Sequence, residues 1–149
     1  MVRPTHEVEY EQMLLSRHGL QGGGRRKDSQ LERSAYILLS RIRVQGPMSI
    51  GELSDAFDLD ASTLNRQTTA AMRAGLVERI PDPEGGMARK FRITDEGVRM
   101  LDDERTGIID SLDQVMADWT DEEIAVFASC LKRFNAGIER LGGRPWPRP

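Results

Sequence analysis

Between Ser49 and Thr94 two short helical patterns, a tight break and a pair of alternating runs follow one another without a linker, and few folds accept that order. Ser49-Ile50-Gly51-Glu52 has the form of a capping box. The Ser49 hydroxyl can accept from the amide three residues on, while Glu52 reaches back to the Ser49 amide. A short helix is predicted from there to about Phe57. Asp58-Leu59-Asp60 offers a turn and a second N-cap, and the next helix should begin near Ala61 and end at Ala74-Gly75. Residues 76–80 and 90–94 then alternate apolar and polar side chains around the turn-formers Pro81, Asp82, Pro83, Gly85 and Gly86, which predicts a β-hairpin. Two helices across a tight turn, followed at once by a hairpin, are the outline of a winged helix-turn-helix.

The flanks read as helices that need a partner. Val8, Met13, Leu14 and Leu20 form a loose helical pattern that ends before the loop Gly22-Gly23-Gly24-Arg25-Arg26-Lys27. Leu31, Ala35, Leu38, Leu39 and Ile42 then repeat at three-and-four spacing up to the stop at Gly46-Pro47. From Val98 to Trp119 the apolar set Val98, Leu101, Ile108, Ile109, Leu112, Val115, Met116 and Trp119 predicts one helix of about 22 residues. So small a domain cannot cover a helix of that length. Thr120-Asp121-Glu122-Glu123 is a second capping box, opening a last helix with the stripe Ile124, Phe127, Leu131, Phe134, Ile138 and Leu141. The tail from Gly142 has no periodicity and should be flexible, extended or loosely docked, with Trp146 as its anchor. The fold class is therefore mainly α with a small β-hairpin wing. An N-terminal helix and loop occupy 1–30, the winged helix-turn-helix 31–97, the C-terminal helices 98–141 and the tail 142–149.

Composition closes off other classes. A chain of 149 residues suits one compact domain with extensions. It has no run of eighteen apolar residues, and its first residues are acidic where a targeting peptide would be apolar or Arg-rich, so a cytoplasmic protein without a membrane partner is expected. Cys130 is the only cysteine, and the histidines are His6 and His18 alone, so neither a disulfide framework nor a metal or other cofactor is expected. Those three residues form no triad, and an enzyme is not expected. Net charge is only −3, but residues 25–99 hold 13 basic against 11 acidic side chains, leaving 8 against 13 for the flanks. A basic centre between acidic arms suits a central module that meets a polyanion.

The helix from Ala61 carries the face that would do so. At about 100° per residue, Ala71 and Gly75 fall within about 20° of Leu64 and make the core side. Ser62, Arg66, Thr69 and Arg73 fall within about 40° of the opposite side, and Asn65 stands on its shoulder. Arginine can pair with guanine through two hydrogen bonds, asparagine can read adenine, and hydroxyls can bond bases or phosphates, with no acidic side chain on that face. Gln67 and Thr68 flank the buried face and are left out of the contact set. In the hairpin, Arg89, Lys90 and Arg92 stand on the returning strand, and strand alternation favours Arg89 and Lys90, near the tip, for phosphate or minor-groove contact.

The run STLNRQTTAAMRAGLVER at residues 62–79, with Asp82-Pro83, Ile93-Thr94 and Gly97 after it, resembles the recognition helix and wing of the MarR family. The resemblance holds in motif detail over about residues 49–97 and in element order over nearly the whole chain. It implies a homodimer whose terminal helices interlock, each subunit placing its recognition helix on double-stranded DNA in one half of a pseudo-palindromic site. It further implies repression relieved by a small phenolic or lipophilic effector, in a cleft near Tyr36 and the start of the long helix. By matching position, Ser62, Thr63, Asn65 and Arg66 take the recognition-helix roles. The wing departs from the pattern, with Gly85-Gly86-Met87 where the family commonly has Asp-Arg-Arg, so Arg89 is read as the substitute for the missing arginine. Two alternatives stand beside this reading. One is a winged helix that binds protein or ligand without DNA. The other is a regulator that senses oxidants through Cys130, a residue that equally suits a helix interface.

Overall fold

The computed structural model describes residues 2–18 and 30–149. Its elements run α1 (Thr5–Leu15), α2 (Arg33–Gln45), α3 (Ile50–Phe57), α4 (Ala61–Arg73), β1 (Val77–Ile80), β2 (Lys90–Ile93), α5 (Asp95–Val115) and α6 (Asp121–Gly142). The glycine-rich loop and Leu20, read from sequence, lie outside the described residues. Among the described residues no helix is long and apolar enough to cross a membrane, and no cluster of His, Cys, Asp and Glu could hold a metal.

The core is built from the stripes that periodicity marked. Leu38, Leu39 and Ile42 of α2 meet Leu53 of α3, Leu64 and Ala71 of α4, Val77 and Phe91 of the hairpin and Leu101 of α5. Fully burying a side chain of this size contributes roughly 1.5–3 kcal/mol. Local chemistry fixes the ends of the elements. Ser49 and Thr120 both close reciprocal capping boxes, with Glu52 and Glu123 respectively. Asp58 takes a left-handed conformation (φ 53°) between α3 and α4, and its amide donates to the Ser54 carbonyl.

The wing is an antiparallel pair with Val77 opposite Ile93, Glu78 opposite Arg92, Arg79 opposite Phe91 and Ile80 opposite Lys90. A bridge between Met48 and Phe91 ties its returning strand to the segment before α3. Gly97 has no room for a side chain, because a Cβ there would overlap the Leu76 carbonyl oxygen. That contact lets the start of α5 lie tight against the base of the wing.

Two expectations need correction. The long helix ends at Val115 rather than Trp119, because Thr120 must start the next helix and the chain turns first, with the Trp119 amide donating to the Met116 carbonyl. Trp119 packs on Phe127 instead. Gly75 is exposed and lies beyond the end of α4, so it does not join Ala71 on the core side. The tail docks through the residue expected to anchor it: Trp146 stacks on Phe57 with ring centroids 5.5 Å apart, and Arg148 pairs with Glu139 at 2.6 Å.

Candidate nucleic-acid interface

α4 sorts its side chains as helical geometry requires. Leu64, Thr68 and Ala71 are buried, whereas Ser62, Asn65, Arg66 and Arg73 are exposed and Thr63 and Thr69 are half-buried. Thr68 is only 1% exposed and satisfies its hydroxyl on the Leu64 carbonyl at 2.8 Å, which removes it from any outside contact. Asn65, Arg66, Thr69 and Arg73 line one open concavity of about 400 Å³ with Ala70. Gln67 turns the other way and lines a separate cavity against α2 and α3. Four of the residues singled out on this helix thus share one surface of suitable donors, with two guanidinium groups at its edge.

The tip of α4 adds a feature that the sequence reading missed. Asp60 precedes the helix, and its carboxylate accepts from the Ser62 hydroxyl at 2.9 Å and the Thr63 hydroxyl at 2.6 Å. Thr63 in turn accepts from Arg66 Nη2 at 3.2 Å. The Thr63 and Ser62 hydroxyls, with a further contribution from the Arg66 charge, hold the Asp60 carboxyl below its usual range. The tip therefore carries an anion beside the hydroxyls expected to meet DNA. The signal was present, since a carboxylate two and three residues ahead of two hydroxyls is well placed to capture both.

In the wing, Arg89 is exposed and makes no ion pair among the described residues. Lys90, expected beside it at the DNA, points elsewhere: Nζ lies 3.1 Å from Glu52 and 3.7 Å from Asp82, and the side chain is largely buried. The Glu52 hydrogen bond, with the charges of Glu52, Asp82 and Glu84, raises its pKa. Lys90 braces the wing against α3, which a reading confined to the hairpin could not find. Arg92 pairs with Glu78 across the strands, as their register demands.

Tyr36 sits where α2 meets α5. Its hydroxyl accepts from Arg105 Nε at 3.2 Å, and Arg105 Nη2 donates to the Ser40 hydroxyl at 3.3 Å. Arg105 falls in the gap between Leu101 and Ile108 of the apolar set, and it turns inward to these two hydroxyls. Glu104 beside it is buried and accepts from the Gln30 amide at 3.3 Å. Cys130 is exposed on α6.

Comparison with known proteins fits this geometry. Residues 31–85 match the family model described as the MarR family. YxaD of Bacillus subtilis, an HTH-type transcriptional regulator, is 32% identical over 133 residues, which cover 89% of this chain and 93% of YxaD. YsmB of the same organism, also an HTH-type transcriptional regulator, is 32% identical over 105 residues, 70% of this chain and 72% of YsmB. The chain belongs to the MarR family. A MarR family protein from Bacillus stearothermophilus shares the fold with a TM-score of 0.72 at 23% identity, covering 93% of this chain and 99% of that one. PcaV from Streptomyces coelicolor, solved with its natural ligand, aligns with a TM-score of 0.59 at 20% identity over 90% of this chain and 92% of PcaV. As a MarR family member the chain is a DNA-binding transcriptional regulator and not an enzyme. The winged helix-turn-helix outline is the fold it adopts.

Proposed function

We propose that this MarR family protein is a repressor that binds a pseudo-palindromic operator as a homodimer, one α4 to each half-site, and that a small phenolic or lipophilic effector releases it. The observation that carries the reading is the concavity of Asn65, Arg66, Thr69 and Arg73 on the outer face of α4. Arg66 is assigned to guanine and Asn65 to adenine; Thr69 and Arg73 are assigned to bases and phosphates around them, and Ser62 and Thr63, whose hydroxyl protons go to Asp60, are assigned to base donors from which they can accept. Arg89 is assigned to phosphate or the minor groove from the wing. Lys90 is withdrawn from the contact set, because its partners Glu52 and Asp82 would have to be given up.

Two-fold assembly is supported by the terminal helices. Neither α1 nor α6 buries a residue, yet Leu15, Phe127, Leu131, Phe134 and Leu141 are apolar and exposed. An effector near Tyr36 is supported by the polar cluster of Tyr36, Ser40 and Arg105 between the winged domain and the long helix.

The test is a titration of the protein with DNA from its own upstream region at several salt concentrations. Specific binding should show a steep salt slope, and Arg66→Ala should lower the specific affinity by about 5- to 150-fold while leaving non-specific binding nearly unchanged. Weak binding to every sequence, indifferent to Arg66→Ala, would overturn the assignment.

A further inference from the structure

The C-terminal tail returns to the winged domain and grips one short stretch of it. Arg144 Nε donates to the Asp55 carbonyl at 3.0 Å, and Nη2 pairs with Asp58 at 3.1 Å. The Trp146 indole stacks on Phe57 with ring centroids 5.5 Å apart, and the Arg41 guanidinium of α2 lies 4.5 Å from the indole centroid. Residues 55–58 are the last turn of α3 and the left-handed break at Asp58, after which α4 begins at Ala61. The tail therefore holds the turn that aims the recognition helix.

The other end of this grip is α6. Gly143 takes a left-handed conformation (φ 67°), and its amide and that of Arg144 both donate to the Glu139 carbonyl, which reverses the chain at the end of the helix. The Trp146 amide donates to the Glu139 carboxylate at 2.7 Å, and Arg148 pairs with the same carboxylate at 2.6 Å. Pro145 and Pro147 flank the indole and restrict the backbone on both sides, which lowers the entropy lost on docking.

Without the tail, α6 would be held to the winged domain at one end only. Its first residues follow the turn after α5, which packs along α2, and its 22 residues reach about 33 Å from there without burying a side chain. An arm fastened at one end swings, whereas an arm fastened at both ends makes a rigid frame. Arg41 joins α2 to that frame. It is only 7% exposed and its buried Nη1 finds no hydrogen-bond partner among the described residues, so the indole face is part of what stabilises its charge.

We propose that Arg144 and Trp146 are positioning residues for operator recognition: they fix α4 relative to the terminal helices, and in the dimer this sets the distance and angle between the two recognition helices. The inference rests on the homodimer and the paired half-sites proposed above. On B-DNA each added base pair moves a half-site by roughly 3.4 Å and turns it by about 35°. A braced frame fits one spacing. A loosened frame fits several, and binds the best of them more weakly because the orientation is no longer set in advance.

Two measurements on the full chain test this. In Cys130→Ser protein, a spin label at Ala74→Cys, an exposed site beyond the end of α4, reports the distance between the two recognition helices without DNA. Pulsed dipolar spectroscopy should return a narrow distribution with the intact tail and a broad one with Trp146→Ala or Arg144→Ala. Inserting two base pairs between half-sites should weaken wild-type binding by at least about tenfold, and binding by either variant by less than about threefold. Trp146→Phe keeps a ring on Phe57 and should restore both the narrow distribution and the strict spacing, with helical circular dichroism retained throughout, which separates positioning from loss of fold. Emission from Trp146, the only tryptophan in Trp119→Phe protein, should move to that of an exposed indole when Arg144→Ala undocks the tail. Equal distance distributions and equal spacing dependence in wild type, Trp146→Ala and Arg144→Ala would overturn the proposal and leave the dimer standing. No dipolar coupling between labels in any of them would remove the dimer, and the proposal with it.

Discussion

Asp60 begins α4 with its carbonyl, which accepts from the Thr63 amide at 3.1 Å, and turns its carboxylate onto the Ser62 and Thr63 hydroxyls rather than onto a free amide. Two opposed effects follow at the DNA. The carboxylate orients both hydroxyls, so their lone pairs and remaining reach are fixed in advance, and it also puts a negative charge where phosphates would come close. Because the group is exposed, salt screens that repulsion, and its cost should be largest at low ionic strength. Asp60→Asn is expected to raise affinity for random-sequence DNA by about three- to tenfold at low salt, and to narrow the gap between operator and random sequence. Fluorescence anisotropy with both DNAs at two salt concentrations checks this. A variant whose operator and random affinities both fall would show that the carboxylate serves mainly to hold the helix tip.

At the scale of elements, the end of α6 and the tail act as one unit fastened by Glu139. The Arg148 guanidinium, then the Trp146 amide, hold the Glu139 carboxyl down at about 2, well below its ordinary value near 4.5. A depressed carboxyl contributes to docking at pH above its free value, and the contribution is lost as pH falls from about 4.5 through 2. In the Trp119→Phe protein, Trp146 emission should stay constant down to about pH 5 and then move to longer wavelength as the carboxylate is protonated. Glu139→Ala should show the shifted emission already at neutral pH, with the helical circular dichroism retained. Emission unchanged in Glu139→Ala would mean that the Phe57 and Arg41 contacts, with Arg144 on Asp55 and Asp58, hold the tail without Glu139. How much of this was legible follows from the range of each interaction. The capping boxes, the turn at Asp58, the hairpin and the stripes of α2 and α4 depend on neighbours a few residues away, and spacing alone exposes them. The docking of Trp146 on Phe57 and Arg41, the Lys90–Glu52 pair and the inward turn of Arg105 join residues distant in sequence. No periodicity records such partners, which is why the sequence alone assigns Lys90 to DNA and names Trp146 as the anchor of the tail without naming what it docks on. Asp60 is a different case, because its partners are local and the N-cap reading stopped at the backbone.

For the whole molecule, the decisive contrast is between a centre that completes its own core and terminal helices that do not. Leu38, Leu39, Ile42, Leu53, Leu64 and Leu101 are closed off within one chain, whereas α6 exposes Phe127, Leu131, Phe134 and Leu141 along one stripe and α1 lies across a groove from it lined by Val8, Leu15, Phe127, Leu131 and Phe134. If a second copy covers these helices, a two-fold axis brings each substitution into the interface twice. Leu131→Glu with Phe134→Glu would then bury four carboxylates, a cost that no dimer of this size absorbs. Within one chain the same positions are exposed, so the double variant should keep its helical content and its thermal unfolding of the central domain. Sedimentation should show a monomer at micromolar concentration, against a dimer expected of the wild type. Operator affinity should fall by about 10²- to 10⁴-fold, because the second recognition helix no longer binds as a tethered partner. The monomer should still prefer a single half-site over random DNA, since Asn65 and Arg66 remain on α4, but it should become indifferent to the spacing between half-sites. Retained sensitivity to spacing in a protein that sediments as a monomer would place the pairing of recognition helices on the DNA itself rather than on α1 and α6.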